Sequence, residues 1–303
     1  MALTAAAITA AVIVLLCGYG QNRRPAVAAA GAVLGVALGF LAACVVLHLR
    51  PHWPPREDQD RLLLILLPTV VVVELLATAI GKWAWLVRVG VAAGAAWVLL
   101  FGSVYLTDLA GPASREWTQK QAILILTAMA GTLIVAWAAL TNLARRAAGW
   151  TVPLALALTC GGAGVAVMLS GYASGGQLGI PFGGAIAGVV LPSLLLARPL
   201  HVTGVTGVAI VGLFALLVIG RFFGQLATGH ALVLFLAPLA CCLPELALVR
   251  CLGPRLRGLS RLLLAAIAVG VIVALAQQKF AESTQPTTAS DEGSRDDYLN
   301  CGK

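Results

Sequence analysis

Charge is what this chain has least of. Only 11% of its 303 residues are Asp, Glu, Lys or Arg, while 60% are apolar; water-soluble domains carry about 25% charged residues. With a mean hydropathy of +0.96, that shortage excludes a soluble globular fold. Patterns that carry chemistry are missing too. There are seven cysteines but no CxxC, and Cys17, Cys44, Cys160, Cys241 and Cys242 fall in apolar runs, where a thiol acts as a small hydrophobe. His48, His52, His201 and His230 sit near span ends without a matching ligand pair, so neither metal nor cofactor is expected. No P-loop, HExxH, nucleophile elbow or dinucleotide fingerprint occurs. A lipid-modifying enzyme would need an interfacial cluster of acid, base and nucleophile, and none can be read. No Lys or Arg precedes Arg23, so the first apolar run lacks the basic region of a cleaved signal and is expected to be retained.

What is present is a series of long apolar runs. Ten spans can be read, at about 2–20, 26–48, 62–80, 83–106, 121–143, 151–173, 178–197, 202–223, 229–249 and 260–278. The expected fold is therefore an all-α integral membrane bundle of about ten transmembrane helices. The formal charge of +8 does not indicate nucleic acid, because the basic residues lie between apolar spans, where they set topology and meet lipid headgroups. The odd-numbered joints hold Arg23, Arg24, Lys82, Arg145, Arg146, Arg198, Arg250, Arg255, Arg257 and Arg261 without an acid. By the positive-inside rule both termini are expected outside. The excess of Arg over Lys and the abundant Ala suggest a bacterial cytoplasmic membrane. The polar residues after 278 cannot bury enough apolar surface to order themselves and read as a disordered tail, 279–303.

The most informative stretch is Leu62 to Leu106, read as a helical hairpin turning at Gly81-Lys82. Glu74 precedes Gly81 by seven residues and Arg88 follows it by seven. At 1.5 Å rise per residue the two charges come to the same depth, about 10 Å from the turn. An unpaired charge in hydrocarbon costs at least ~2.5 kcal/mol, so the two are expected to face inward and pair. A near copy follows, with Glu245 and Arg261, or Arg250, as the corresponding pair around Gly253. Pro68 and Pro238 stand in register in the two copies, and near-constant offsets suggest a parallel internal repeat, spans 1–4 against spans 7–10. That reading divides the chain into a first four-helix repeat (1–110), a two-helix insert (111–175), a second repeat (176–278) and the tail (279–303).

Pro68, Pro238 and Pro244 are candidate helix breaks, since each removes an N–H and frees a carbonyl. Residues 160–188, rich in glycine, carry Ser170, Tyr172 and Gln177, which are candidate cavity-lining residues if the segment is broken or re-entrant. The alternative is a loop between two packed glycine-rich helices. Gly31, Gly35 and Gly39 repeat the GxxxG spacing, which allows close helix approach. Two functions are compatible with these features. One is a secondary-transporter-like or channel-like bundle moving a small solute or ion, with the Glu/Arg pairs as coupling or gating groups. The other is a non-transporting scaffold or assembly subunit, partnered by another membrane protein or its own copies, in which the pairs are hairpin staples.

Overall fold

Thr203–Phe222 forms α9, the post around which the other helices stand. Its sequence, TGVTGVAIVGLFALLVIGRF, is apolar on every side, and every residue from Gly204 to Gly220 is buried. A helix without a polar face can be satisfied only by neighbours all round. The computed structural model describes residues 1–19, 25–107, 116–146, 150–196, 203–245 and 254–284. The helices that precede α9 are α1 (Ala2–Tyr19), α2 (Pro25–Val46), α3 (Asp58–Arg61), α4 (Leu67–Ile80), α5 (Ala84–Leu100), α6 (Gln119–Arg146), α7 (Thr151–Leu169) and α8 (Ala173–Leu196). Those that follow it are α10 (Thr228–Leu236) and α11 (Pro254–Thr284). Helix α9 contacts α2, α4, α5, α6, α7, α8 and α10.

Among the described residues six helices are long and apolar enough to cross a membrane: Ala26–Val46, Gln119–Arg146, Thr151–Leu169, Ala173–Pro192, Thr203–Phe222 and Leu256–Glu282. The chain is thus a polytopic all-α membrane protein. The expectation of about ten such spans is corrected to six. Four of the runs read from sequence fall short of that length among the described residues: Ala2–Cys17, Ala84–Leu100 and Thr228–Leu243, and α4, with 14 residues. Hydropathy reads straight through helix breaks, and the third and ninth runs contain them. In the third run Pro68 has no N–H to return to the Leu64 carbonyl, and Leu62–Leu66 forms a π-helical turn before α4 begins. In the ninth run α10 stops at Leu236, and Ala237–Glu245, which contains Pro238 and Pro244, winds as a 3-10 helix.

The same breaks remove the internal repeat. The two hairpins expected to match differ in their helix type at the matched proline. Pro68 is exposed in the first turn of an α-helix, whereas Pro238 is buried in the 3-10 segment. Nearly constant offsets of proline, leucine and arginine come cheaply in a composition this narrow. Helix α11 continues to Thr284, and the rest of the expected tail lies outside the described residues.

Two seams show how glycine sets the packing. Gly39 on α2 lies so close to α1 that a Cβ there would come within 2.6 Å of the Ala6 carbonyl oxygen. Residues 160–188 form the end of α7, a turn and most of α8. The turn is tight, with Gly171 at φ 91°, and Ser170 accepts a bond from the Gln225 N–H at 3.0 Å. Beyond it the two helices cross with Gly164 against Gly179: a Cβ on Gly179 would lie 2.4 Å from the Gly164 Cα. The contact is backbone on backbone, so no rotamer change can relieve an added methyl. Gly179→Ala is expected to lower stability by about 1–3 kcal/mol, read as a lower unfolding temperature in detergent. Gly161→Ala, where a Cβ meets nothing within 4 Å, should leave the transition in place or raise it slightly.

Candidate functional site: a buried ion pair on the central helix

Glu74 comes from α4 and Arg88 from α5, seven residues on either side of Gly81, whose φ of 62° closes the connection. The Arg88 Nε donates to Glu74 Oε1 at 3.0 Å and Nη2 donates to Oε2 at 2.6 Å. This fork-on-fork geometry is the strongest form of carboxylate recognition. Glu74 is 1% exposed and Arg88 5%. Helix α6 adds Trp137 and α5 adds Trp85; the Arg88 guanidinium carbon lies 5.4 Å from the Trp85 ring centroid and 5.9 Å from that of Trp137. These aromatic faces solvate the cation where water cannot. The floor is Gly207 of α9, where a Cβ would fall 2.0 Å from Glu74 Oε1 and 2.9 Å from Trp137 Nε1. The carboxylate therefore rests on bare backbone. Trp137 Nε1, beside it, and Thr141 Oγ1, one turn further along α6, are buried without a well-formed hydrogen bond.

The other residues singled out in the sequence do not join this cluster. Arg261 is buried on α11, and its Nη1 donates to Thr151 Oγ1 of α7 at 3.3 Å. Arg250 and the side chains of Glu245 and Pro244 lie outside the described residues. Ser170 turns its hydroxyl back to the Val167 carbonyl at 2.7 Å, and Gln177 is exposed on α8. Tyr172 takes part in a contact that the sequence did not reveal.

That contact is at the start of the first hairpin. Asp58 and Asp60, in the one-turn helix α3, are both buried. Asp58 Oδ2 accepts the Tyr172 hydroxyl at 2.6 Å. Asp60 Oδ2 accepts the N–H groups of Arg56 and Glu57, both at 3.4 Å, and lies 3.8 Å from Nδ1 of the exposed His52. Both acids stand in the joint RPHWPPREDQDR between the second and third apolar runs. Their signal was the capping spacing of Glu57 to Asp60, which marks a helix start but does not identify Tyr172.

Burial raises the Asp58 carboxyl above its ordinary value of 3.8, and the Tyr172 hydrogen bond partly counters this. Burial, then Asp58 itself, pushes the Tyr172 hydroxyl up, so it stays protonated and donates. Folded Asp58 thus holds its proton to higher pH than the unfolded chain does. Stability from this residue is fully present below the ordinary aspartate pKa and falls as pH rises through the raised one. Tyr172→Phe removes the bond that favours the carboxylate and so raises the folded Asp58 pKa further, and the decline should extend to higher pH. Near neutrality the variant should lose about 1.5 kcal/mol, the low end for a bond to a charged group, because Tyr172 is half-buried. Unfolding temperatures measured from acid to neutral pH would show the gap between the two proteins closing as Asp58 is protonated. A gap independent of pH would remove Asp58 from the account.

No protein-family profile, curated protein or solved structure matches the chain. Among the described residues there is also no group of three or more His, Cys, Asp or Glu placed to hold a metal ion.

Proposed function

We propose that the chain is a membrane scaffold or assembly subunit, with the Glu74–Arg88 pair acting as a staple that holds the first hairpin against the central helix. One observation supports this reading: the pair is closed, bidentate and buried to 1% and 5% exposure. A coupling carboxylate must face water or a solute in some state, while a staple stays shut. An ion pair of this kind fixes helix register at some cost in desolvation, a role attested for buried polar groups elsewhere.

A second reading, secondary-transporter-like or channel-like movement of a small solute or ion, draws on a different observation. Thr141 Oγ1, one turn along α6 from Trp137, is buried with bonding capacity left over, and the π-helical turn at Leu62–Leu66 offers a place for α4 to repack. In that reading Glu74 would exchange Arg88 for a proton or solute in another conformation.

Proton flux into liposomes containing the purified chain separates the two. The staple reading expects flux no greater than in empty liposomes, and a folded protein when the pair is replaced together by Glu74→Leu and Arg88→Met. Flux in the wild type that is lost in Glu74→Gln, at unchanged protein content and orientation, would overturn it in favour of transport.

A further inference from the structure

A second site lies on the lipid-facing side of the molecule, remote from the ion pair in its chemistry. Helices α6, α9 and α10 enclose a groove of about 550 Å³, within the size range of small-molecule sites. Its walls are apolar, with Met129, Phe214 and Leu232 among them, and Ala128 and Thr132 on α6 are exposed along it, so it opens sideways to the surroundings. One end is different. Tyr105, Trp117 and Phe222 meet there, with ring centroids 4.9, 5.1 and 5.5 Å apart, and Arg221 and Glu116 line the same end. Aromatic clusters of this type sit at the headgroup level of a bilayer.

The two charges share the groove without pairing. Arg221 Nε donates to Thr228 Oγ1 at 2.6 Å, and the guanidinium lies 5.7 Å over the Phe222 ring. Those contacts orient the guanidinium but use one of its five N–H donors. Among the described residues Glu116 forms no ion pair with it, so two opposite charges stand apart at the mouth of an apolar channel. A phosphate fits the free donors of Arg221, and a primary ammonium fits the carboxylate of Glu116. A single molecule that carries both, with an acyl chain for the groove, is a zwitterionic aminophospholipid.

We propose that the groove between α6 and α10 selectively binds an aminophospholipid, with its phosphate on Arg221, its ammonium on Glu116 and one acyl chain along Met129 and Leu232. Phosphatidylglycerol would satisfy Arg221 but offers Glu116 neutral hydroxyls in place of a cation. A choline lipid supplies no N–H donor to the carboxylate.

The test uses the full chain in mild detergent, offered equal amounts of phosphatidylethanolamine, phosphatidylglycerol and phosphatidylcholine, with bound lipids counted by native mass spectrometry. The wild type should carry phosphatidylethanolamine in roughly fivefold excess over each of the others, the scale of one favourable charge contact at a membrane surface. Arg221→Gln, which removes the contact to the phosphate that all three lipids share, should lower the total bound lipid severalfold. Glu116→Lys should shift the preference to phosphatidylglycerol, a gain that misfolding cannot imitate. If the wild type holds the three lipids equally or prefers phosphatidylglycerol, the proposal fails. It fails equally if Glu116→Lys leaves the preference where it was, whatever the behaviour of Arg221→Gln.

Discussion

Glu74→Gln is expected to be the most damaging single substitution in the molecule, lowering stability by about 3–5 kcal/mol. The change is nearly isosteric, so shape is not the cause. It leaves the Arg88 guanidinium, 5% exposed, without a counter-ion in a low-dielectric interior. One amide oxygen can still accept from Arg88, but the amide NH2 now faces the donors that met the second carboxylate oxygen at 2.6 Å. The Trp85 and Trp137 rings offset part of the loss, at about 2 kcal/mol for a desolvated cation–π contact at most. Replacing both partners, Glu74→Leu with Arg88→Met, removes the uncompensated charge and should recover most of the loss. Unfolding temperature at a fixed scan rate, in one detergent, is the measurement, because membrane proteins often unfold irreversibly. A double variant no more stable than Glu74→Gln would show that the pair contributes attraction well beyond its desolvation cost. A harmless Glu74→Gln would mean that the pair is not closed in the bilayer.

Gly207→Ala is expected to reach the same pair from the other side. The new Cβ would sit 2.0 Å from Glu74 Oε1 and 2.6 Å from its Cδ. Helix α9 cannot withdraw, because it is buried from Gly204 to Gly220 and held by seven neighbouring helices. The carboxylate must leave its seat instead, which breaks the bidentate geometry with Arg88. The direct packing cost is about 1–3 kcal/mol, and disruption of the pair adds to it. The two sites should therefore couple. In a Glu74→Ala background the two closest contacts of the methyl at 207 are gone and only Trp137 Nε1, at 2.9 Å, remains, so its cost should fall by about 0.5–3 kcal/mol. Equal costs in both backgrounds would locate the damage in α9 and not at the ion pair. Gly204 is a useful comparison: a Cβ there would meet Val33 at 2.6 Å but stay 3.6 Å from Glu74 Oε2, so its substitution should couple weakly to Glu74.

The first hairpin shows where reading the chain alone succeeds. Equal spacing of Glu74 and Arg88 from Gly81 puts the charges level in any antiparallel helix pair, and the cost of burying either alone forces them together. Both facts are local, so the pairing was legible before any tertiary structure. The second hairpin shows what that argument leaves open. Gly253 and the side chain of Glu245 lie outside the described residues, and Arg261 also donates to Thr151, which comes from a helix a hundred residues earlier. Spacing sets depth along a helix axis, but rotation about that axis depends on neighbours.

The long apolar runs by themselves determined that this is an all-α membrane protein, because about twenty uninterrupted apolar residues lack the alternation of a barrel strand and satisfy their backbone in lipid as a helix. Residue spacing also determined the depth of the Glu74–Arg88 pair, through the constant rise of the helix. The tertiary structure decided the rest: six long helices where about ten were read, two unlike hairpins where a repeat was expected, α9 at the centre, Gly207 under the carboxylate and Tyr172 on Asp58. Each of those depends on which face of an almost uniformly apolar helix meets which neighbour. Where nearly every face is apolar, the hydrophobic pattern carries no direction, and the choice falls to small residues and buried polar groups whose partners lie far away in the chain.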